Sequence, residues 1–248
     1  MLRAADSAEL LLHRCDDALD AVRAVRDEVA VTMLDPWYNR GFGGTRDDYI
    51  PWLVTLIEAS FERSAHVFLW GFPDIVGRVL DYLPAGAELV AWLTWYYKNC
   101  PSVIRGWRSA QYACLHLARA GAPLYPEHFL NEAQREKARQ GKLRYMPGPA
   151  SVIEAPLNIG FVGRAEQTGH PAQKPVAVFE PLIQMTTRPG DLVLDPMCGA
   201  GTTGEVCHLH GRRAILFDRS EEYLAMAARR LGVPIRDQPS AKYFFKNS

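Results

Sequence analysis

The chain of 248 residues is long enough for one large domain or two modest ones, and its 48% hydrophobic residues can fill a substantial core. It carries 28 Lys and Arg against 28 Asp and Glu, so net charge alone gives no argument for a nucleic-acid partner. No run of about 18 apolar residues predicts a membrane span, and the acidic start with Asp6 and Glu9 is unlike a signal peptide. These features predict a soluble cytoplasmic protein with no membrane partner.

The cysteines and histidines predict neither a disulfide framework nor a metal site. The chain has five cysteines, an odd number, and no two of them form a C-x-x-C pair. Cys207, His208 and His210 are close in sequence, but their spacing fits a helix end better than a set of metal ligands. We therefore expect reduced thiols and no metal.

The first half of the chain alternates helices with strands. Apolar residues at helical spacing predict one or two amphipathic helices from about Ser7 to Val29. Val31 to Leu34 form a short apolar strand that Asp35-Pro36 ends, because proline has no N–H and biases its predecessor away from helix. The same patterns then predict a helix from about Tyr49 to Arg63, a strand from His66 to Gly71, a helix from Pro73 to Leu83 and a strand from Glu88 to Tyr97.

The second half begins with a weak pattern and ends with a clear one. From Ala120 to Gly169 prolines and basic residues occur with little periodicity, which is typical of an inserted or recognition segment. Periodicity then returns as a helix in residues 174–186, a strand, glycine turn and helix in residues 191–211, a strand in residues 213–218 and a helix in residues 220–231. Alternating strands and helices predict an α/β fold with a mainly parallel sheet covered on both faces.

Positive charge is concentrated between Lys98 and Arg144. This stretch holds nine Lys or Arg and three Glu, interleaved with aromatic residues. Such a stretch can neutralise phosphates and stack on bases, although a solvated basic face is the alternative. The candidate nucleic-acid-binding residues here are Lys98, Arg105, Arg108, Arg139, Lys142 and Arg144.

The strand at residues 192–195, like the strand at Val31 to Leu34, ends at an Asp-Pro pair, and a glycine turn follows it. Asp195 ends this strand, Gly199 and Gly201 allow a tight turn, and Asp218 follows at the end of the next strand. This geometry is typical of a nucleoside-binding βαβ unit whose acid clamps a ribose, although a tight turn without a cofactor is the alternative. The acid at the mouth of the loop repels phosphates and attracts a cation. S-adenosyl-L-methionine fits better than a dinucleotide, since it has a ribose, an ammonium, a sulfonium and no phosphate.

The residues that follow the Val31–Leu34 strand have groups that would activate the amino group of a purine or pyrimidine base for attack on a sulfonium methyl group. The lone pair of an exocyclic base amine is delocalised into the ring, so the nitrogen is a poor nucleophile. Two acceptors, the Asp35 carboxylate and the Pro36 carbonyl, would draw the amine toward a tetrahedral geometry and stabilise developing positive charge. The base must leave the duplex to reach them, and Trp37, Tyr38 and Phe42 offer aromatic faces for stacking. By itself, the sequence Asp35-Pro36-Trp37-Tyr38 is also compatible with an ordinary turn at the end of a strand.

Three motifs together resemble the amino-methylating DNA methyltransferases, which methylate adenine N6 or cytosine N4. DPWY at Asp35 to Tyr38 is similar to their catalytic motif, HPAQKP at His170 to Pro175 to the segment before the cofactor loop, and DPMCGAGTT at Asp195 to Thr203 to the loop itself. The catalytic motif precedes the cofactor loop, which is the permuted order of the β group.

The resemblance implies a Rossmann-like, seven-stranded methyltransferase sheet with a circularly permuted motif order, and S-adenosyl-L-methionine as the cofactor. It implies one domain over residues 1–248, with a catalytic half at 30–119, a small target-recognition insertion at 120–169 and a cofactor-binding half at 170–232. The implied base-holding residues are Asp35, Pro36 and Tyr38. The implied cofactor-binding residues are Asp195, Pro196, Cys198, Gly199, Gly201, Thr202, Asp218 and Lys174.

Several alternatives stay open. Trp37 replaces the second proline of the catalytic motif, which brings a bulky indole close to the base. Asp35 at the first position of the catalytic motif favours adenine over cytosine as the target, because Asp at this position accompanies adenine more often in the family. An RNA methyltransferase and a catalytically silent nucleic-acid-binding subunit are rival functions. The resemblance also leaves open a homodimer and a companion restriction enzyme.

Overall fold

The computed structural model describes residues 9–40, 44–100 and 106–237, which form one large sheet with helices on both faces. The strands are β1 Leu10–Arg14, β2 Val29–Leu34, β3 Ser64–Gly71, β4 Ala87–Tyr96, β5 Gln111–Arg119, β6 Val152–Glu154, β7 Leu192–Asp195, β8 Arg213–Asp218 and β9 Ile235–Arg236. The α-helices are α1 Ala18–Ala24, α2 Tyr49–Phe61, α3 Pro73–Val79, α4 Glu132–Arg139, α5 Val176–Thr186, α6 Thr202–Leu209 and α7 Glu221–Leu231. No helix in these ranges combines the length and the apolar character that crossing a membrane requires.

The strand order in the sheet is β6-β4-β5-β3-β2-β7-β8-β1-β9. Strand β5 pairs antiparallel with β3 and β4, whereas the other neighbouring pairs are parallel. The predicted seven strands correspond to the central run from β4 to β1, and two short strands, β6 and β9, extend the edges. Strands β2 and β7, which lead into the two Asp-Pro motifs, are far apart in sequence but adjacent in the sheet.

The helix predicted from about Ser7 to Val29 is wrong in its first part, where the chain forms β1. This strand is parallel to β8 on one side and β9 on the other. Leu11 points into one apolar layer and Leu10 and Leu12 into the other, because successive residues of a strand face opposite sides. A strand buried on both faces needs no polar alternation, so its leucines fit helical spacing equally well. Asp17 then caps α1 by accepting hydrogen bonds from two backbone N–H groups.

The core consists of two apolar layers, one on each face of the sheet. Helices α1, α2 and α3 contribute to one layer, with Val22, Leu53 and Val76 among its buried residues. Helices α5, α6 and α7 contribute to the other, with Leu182 and Leu224. The two layers hold the central parallel strands rigidly, which fixes the positions of the loops at their carboxyl ends.

The predicted insertion at 120–169 contains α4, which has no buried residue, and the edge strand β6. It is joined to the sheet mainly through its second half, where β6 pairs with β4 and Trp95 Nε1 donates to the Ala155 carbonyl at 2.7 Å. The preceding β5 was not predicted as an element. It lies between β4 and β3 in the sheet, and its Leu115 and Leu117 are buried in the core. The division of the chain at 119 and 169 stays a prediction.

The end of α6 contains Cys207, which is buried, and leads to His210. His210 Nε2 lies 2.7 Å from Glu180 Oε1 and 3.1 Å from Gln184 Nε2, so the imidazole has partners on α5. Over the described ranges, no group of three His, Cys, Asp or Glu is arranged to hold a metal ion.

Two helical glycines should respond in opposite ways to alanine. A Cβ on Gly204 in α6 would lie 2.6 Å from Leu216 Cδ1 and 2.7 Å from Leu231 Cδ1, whereas a Cβ on Gly77 in α3 meets only Trp92 Cη2, at 4.0 Å. We expect Gly204→Ala to lower the free energy of unfolding by about 1–3 kcal/mol through overpacking. Gly77→Ala should raise it by about 0.4–1 kcal/mol, because the unfolded chain loses entropy. Urea unfolding of both variants tests this contrast, and equal effects would contradict it.

Candidate active site

Two strands bring an acid to the same edge of the sheet. β2 and β7 are parallel neighbours, with Thr32 opposite Leu194. Asp35 directly follows β2, and Asp195 is the last residue of β7. Open α/β sheets bind their ligands beyond the carboxyl ends of parallel strands, so both acids lie where a ligand is expected.

The Asp35 carboxylate is held by two hydrogen-bond donors. Lys174 Nζ donates to Asp35 Oδ1 at 2.9 Å and to Oδ2 at 2.6 Å, and the Tyr38 hydroxyl donates to Oδ1 at 2.8 Å. Lys174 Nζ also lies 2.7 Å from the Tyr38 oxygen. The side chain of Lys174 is only 5% exposed and that of Asp35 16%, so this ion pair is largely shielded from water. The carboxylate therefore has a fixed orientation.

Aromatic rings surround the Lys174 ammonium. It lies 5.2 Å from the ring centroid of Tyr38 and 5.3 Å from that of Tyr112, within the range of cation–π attraction. The Tyr38 ring packs against Phe72 at 5.0 Å and Tyr112 at 5.2 Å. Burial, followed by the negative charge of Asp35, raises the pKa of Tyr38 well above its usual range. The phenol is therefore protonated and acts as a donor to Asp35.

Trp37 packs against α2. Its ring lies 4.9 Å from Trp52 and 5.5 Å from Tyr49, and its Nε1 donates to the Gly44 carbonyl at 3.3 Å. The Arg219 guanidinium lies over the same ring at 5.5 Å. A role for Trp37 in contacting nucleic acid stays a prediction. Phe42, the third aromatic candidate, lies outside the described residues.

The turn between β7 and α6 needs its glycines. Gly199 and Gly201 have φ values of +49° and +78°, in the left-handed region that favours glycine. A Cβ on Gly199 would lie 3.0 Å from His170 Nε2, and a Cβ on Gly201 would lie 3.1 Å from Ala227 Cβ. Side chains at these two positions would push away the neighbouring segments, so the tight turn depends on both glycines.

Asp218 ends β8 and is joined to the glycine turn. Its Oδ2 accepts from the Gly199 N–H at 2.8 Å and its Oδ1 from the Ser220 N–H at 2.9 Å. The residue is 8% exposed. A carboxylate offers about four acceptor sites, so roughly two remain for a ligand.

Asp195 is buried at the mouth of the turn. It accepts hydrogen bonds from the Thr203 hydroxyl and, at 3.1 Å, from the Met197 N–H. Burial raises the pKa of Asp195 to about 7, since desolvation outweighs these two hydrogen bonds and the negative charges of Asp35 and Asp218 add to the rise. The acid is therefore poised to become fully ionised when a cation arrives.

This raised pKa predicts that Asp195 makes the fold less stable as pH rises. The folded state holds the proton more tightly than the unfolded chain, whose Asp pKa is near 3.8. The contribution is therefore fully present at low pH and declines between about pH 4 and pH 7, at most by about 1.4 kcal/mol per pH unit. Asp195→Asn cannot ionise and should lack this decline. Denaturant unfolding of both proteins at several pH values tests it, and a pH-independent difference would contradict it.

His170 belongs to the site but was not predicted as a site residue. Its ring packs edge-on against Tyr223 at 4.1 Å, its Nδ1 accepts from the Ala172 N–H at 3.1 Å, and its Nε2 faces Gly199. Burial lowers the pKa of His170, partly offset by the nearby Asp218. The signal for it was present, because His170 opens the same HPAQKP motif that supplied Lys174.

A family model described as DNA methylase matches residues 29–229, which include both strand ends, the glycine turn and the segment between them. The chain belongs to this DNA methylase family. Because the model represents enzymes that modify N6 or N4 amino groups, the methylase is a member of the DNA amino-methyltransferases. The positions of Asp35 and Asp195 at neighbouring strand ends agree with this assignment.

The methylase is similar along most of its length to curated proteins and to a solved structure. It is 26% identical over 236 residues to the type II methyltransferase M.HpaI of Haemophilus parainfluenzae, covering 88% of this chain and 73% of that protein. It is 26% identical over 260 residues to the DNA adenine methyltransferase YhdJ of Escherichia coli strain K12, covering 93% and 85%. The crystal structure of the M1.HpyAVI–SAM complex has the same fold, with a TM-score of 0.69 at 20% identity, covering 90% of this chain and all of that one.

The methylase brings most of the predicted cofactor residues together. The β7–α6 turn and the end of β8 contain seven of them: Asp195, Pro196, Cys198, Gly199, Gly201, Thr202 and Asp218. Lys174, the eighth predicted cofactor residue, is not part of this turn, and its ammonium contacts Asp35 and the Tyr38 hydroxyl. Pro36 is buried beside Asp35. Whether these residues bind the cofactor and the base stays a prediction.

The basic residues that were predicted to bind nucleic acid are not part of this cluster. Those that the structure describes are exposed: Lys98, Arg108, Arg139, Lys142 and Arg144. Lys98 pairs with Glu154 and Arg139 with Glu136, which reduces the charge that these two offer to a phosphate. Arg105 lies outside the described residues. Their role in binding nucleic acid stays a prediction.

Proposed function

We propose that this methylase transfers a methyl group from S-adenosyl-L-methionine to the exocyclic amino group of a DNA base that has left the duplex, adenine N6 in preference to cytosine N4. The observation that supports this proposal best is the placement of Asp35 beside the β7–α6 turn, with both of its oxygens engaged by oriented donors. A carboxylate fixed at this point can receive an amine N–H.

The residues around the turn have the chemistry to hold S-adenosyl-L-methionine, which supplies the sulfonium methyl when it is bound. The free acceptor sites of Asp218 suit the ribose hydroxyls. Asp195 suits a cationic group, because a positive charge offsets the desolvation that raises its pKa to about 7. Gly199 and Gly201 let the backbone approach closely, since they carry no Cβ.

Asp35 and Pro36 act on the amine of the base. An N–H donated to the Asp35 carboxylate and another donated to the Pro36 carbonyl would bend the amine out of the ring plane and direct its lone pair toward the methyl group. Positive charge that develops on the nitrogen during transfer is stabilised by the carboxylate, without prior removal of a proton. The surplus N–H proton then passes to the Asp35 carboxylate or to solvent, which leaves the methylated amine neutral. Tyr38 supports this arrangement through its hydrogen bond to Asp35 and offers its ring as a stacking surface.

The base reaches Asp35 only after rotation out of the DNA duplex, which costs a few kcal/mol that aromatic stacking partly offsets. The exposed basic side chains of the 98–144 stretch and of the insertion at 120–169 are proposed to contact DNA phosphates. Similarity to a protein named as a type II methyltransferase favours a setting with a companion restriction enzyme. A homodimer is the second partner that we propose.

Adenine is preferred because the catalytic motif begins with Asp, which accompanies adenine in the amino-methyltransferases, and because YhdJ is named as an adenine enzyme. Cytosine N4 is the alternative, since either amine can donate to the same two acceptors.

Incubation with S-adenosyl-L-methionine labelled in its methyl group tests the proposal. Duplex DNA, single-stranded DNA and RNA are supplied in parallel at matched nucleotide concentration, and label in the polymer is counted. We expect transfer to DNA. Transfer to RNA alone would overturn the substrate assignment, and cofactor binding without transfer to any polymer would indicate a catalytically silent subunit.

A further inference from the structure

We infer that Lys174 is a positioning residue for Asp35, which keeps the carboxylate oriented so that one acceptor site faces the target amine. This inference rests on the proposed function and replaces the assignment of Lys174 to the cofactor that the sequence suggested. It follows from the contacts of the buried ammonium with Asp35 and Tyr38.

The hydrogen bonds of Asp35 can be counted. A carboxylate has about four acceptor sites. Lys174 uses one on each oxygen and the Tyr38 hydroxyl uses a second on Oδ1, so one site remains, on Oδ2. An amine N–H can take that site while Lys174 stays in place. The lysine therefore determines which oxygen, and which side of it, is available to the base.

Lys174 is itself anchored to the cofactor-binding half. The Thr202 hydroxyl donates to the Lys174 carbonyl at 2.8 Å, and Arg230 Nη1 lies 3.0 Å from the same Thr202 oxygen. Arg230 in turn forms an ion pair with Glu205 on α6. A chain of direct contacts thus leads from α7, through the first residue of α6, to the catalytic acid.

Displacement of the lysine by the base would be energetically unfavourable, since the lysine side chain is only 5% exposed. Moving an ammonium away from its carboxylate inside a protein leaves an unpaired buried charge, which is strongly unfavourable. Its cation–π contacts with Tyr38 and Tyr112 would also be lost. These costs favour a lysine that stays and orients Asp35 over one that vacates the site for the amine.

A double-mutant cycle between Lys174 and Asp35 tests this inference. Lys174→Met keeps the length of the side chain and removes the charge. Small misplacements of reacting groups cost up to about 100-fold, so we expect kcat to fall by about 10–100-fold. The dissociation constant for S-adenosyl-L-methionine and KM for DNA should change by less than about threefold, because the lost interaction acts on the transfer step. In an Asp35→Ala background, Lys174→Met should cause no further loss of kcat.

The opposite pattern would overturn the inference. It would be wrong if Lys174→Met weakened cofactor binding at unchanged kcat, or if it lowered kcat equally in both backgrounds. Arg212→Met is the matched control, because Arg212 is a buried cation at the opposite end of β8 whose guanidinium contacts Thr187 and the His210 carbonyl. This variant should lose stability and keep the kcat of the folded protein.

If Lys174→Met fails to fold, Thr202→Val gives a milder test at saturating cofactor, since it removes the hydroxyl that donates to the Lys174 carbonyl and accepts from Arg230. We expect kcat to fall by about 3–10-fold, whereas Thr186→Val, which removes a buried hydroxyl bonded within α5, should leave kcat unchanged. Equal kcat for both threonine variants would overturn the inference. Failure of the proposed function would differ from all these results, because the unmodified protein would then transfer no methyl group to DNA.

Discussion

Replacement of Asp35 by Ala should lower the rate of methyl transfer by about 10²–10³-fold and leave cofactor affinity nearly unchanged. The carboxylate lies at the end of β2 and contacts Lys174 and Tyr38, whereas the glycine turn is held by its own hydrogen bonds to Asp218 and Phe217. Loss of the Asp35 carboxylate removes the proposed acceptor of the target amine but no contact within the turn. Single-turnover transfer and calorimetric titration with the cofactor measure the two effects separately.

Asp35→Asn is the informative companion variant. It keeps the shape and one acceptor oxygen but removes the negative charge that stabilises the developing cation, so we expect a loss close to that of Asp35→Ala. Glu58→Ala, at an exposed position on α2, is a control for general effects of removing an acid. Transfer at the normal rate in Asp35→Ala would show that the amine is activated elsewhere.

Replacement of Asp218 by Ala should weaken the cofactor by about 10–100-fold, since hydrogen bonds to a charged group contribute about 1.5–3 kcal/mol. Asp218 holds the Gly199 and Ser220 N–H groups in the structure, and we propose that its remaining acceptor sites bind the ribose of the cofactor. Cofactor affinity is measured by titration, and kcat at saturating cofactor reports the chemical step, which should change much less.

The two roles of Asp218 can be separated. Asp218→Asn keeps one acceptor oxygen, which suffices for the Gly199 N–H, but it loses the charge and the acceptor of the Ser220 N–H. It should therefore unfold at a temperature between those of Asp218→Ala and the unmodified protein and still bind the cofactor weakly. If both variants kept full cofactor affinity, Asp218 would be only a structural brace for the turn.

The placement of Asp35 and Asp195 at neighbouring strand ends was predictable from sequence, because parallel strands have their carboxyl ends at the same edge of the sheet. Each of the two strands was recognisable as a short apolar run that ends at Asp-Pro. Asp218 was recognisable as the acid at the end of the strand that follows the glycine turn. These inferences need only local patterns and the general geometry of α/β sheets. The family assignment of the chain agrees with them.

The features that could not be predicted from the sequence depend on contacts between segments that are distant in the chain. β1 was predicted as helix because its leucines face both apolar layers, and β5 gave no distinct signal within the basic stretch. The predicted cofactor role of Lys174 stays a prediction, but the contact of its ammonium with Asp35, 139 residues away in sequence, was not predicted. No pattern in either segment specifies that pairing.

The most direct test of the account is the identity of the methylated nucleoside. Duplex DNA is incubated with the protein and S-adenosyl-L-methionine carrying a deuterated methyl group, then digested to nucleosides and analysed by mass, with Asp35→Ala in parallel. We expect deuteromethyl label on adenine N6 with the unmodified protein and almost none with the variant. Label on a ring carbon, or equal label from both proteins, would contradict the claim that Asp35 holds an exocyclic amine for methylation.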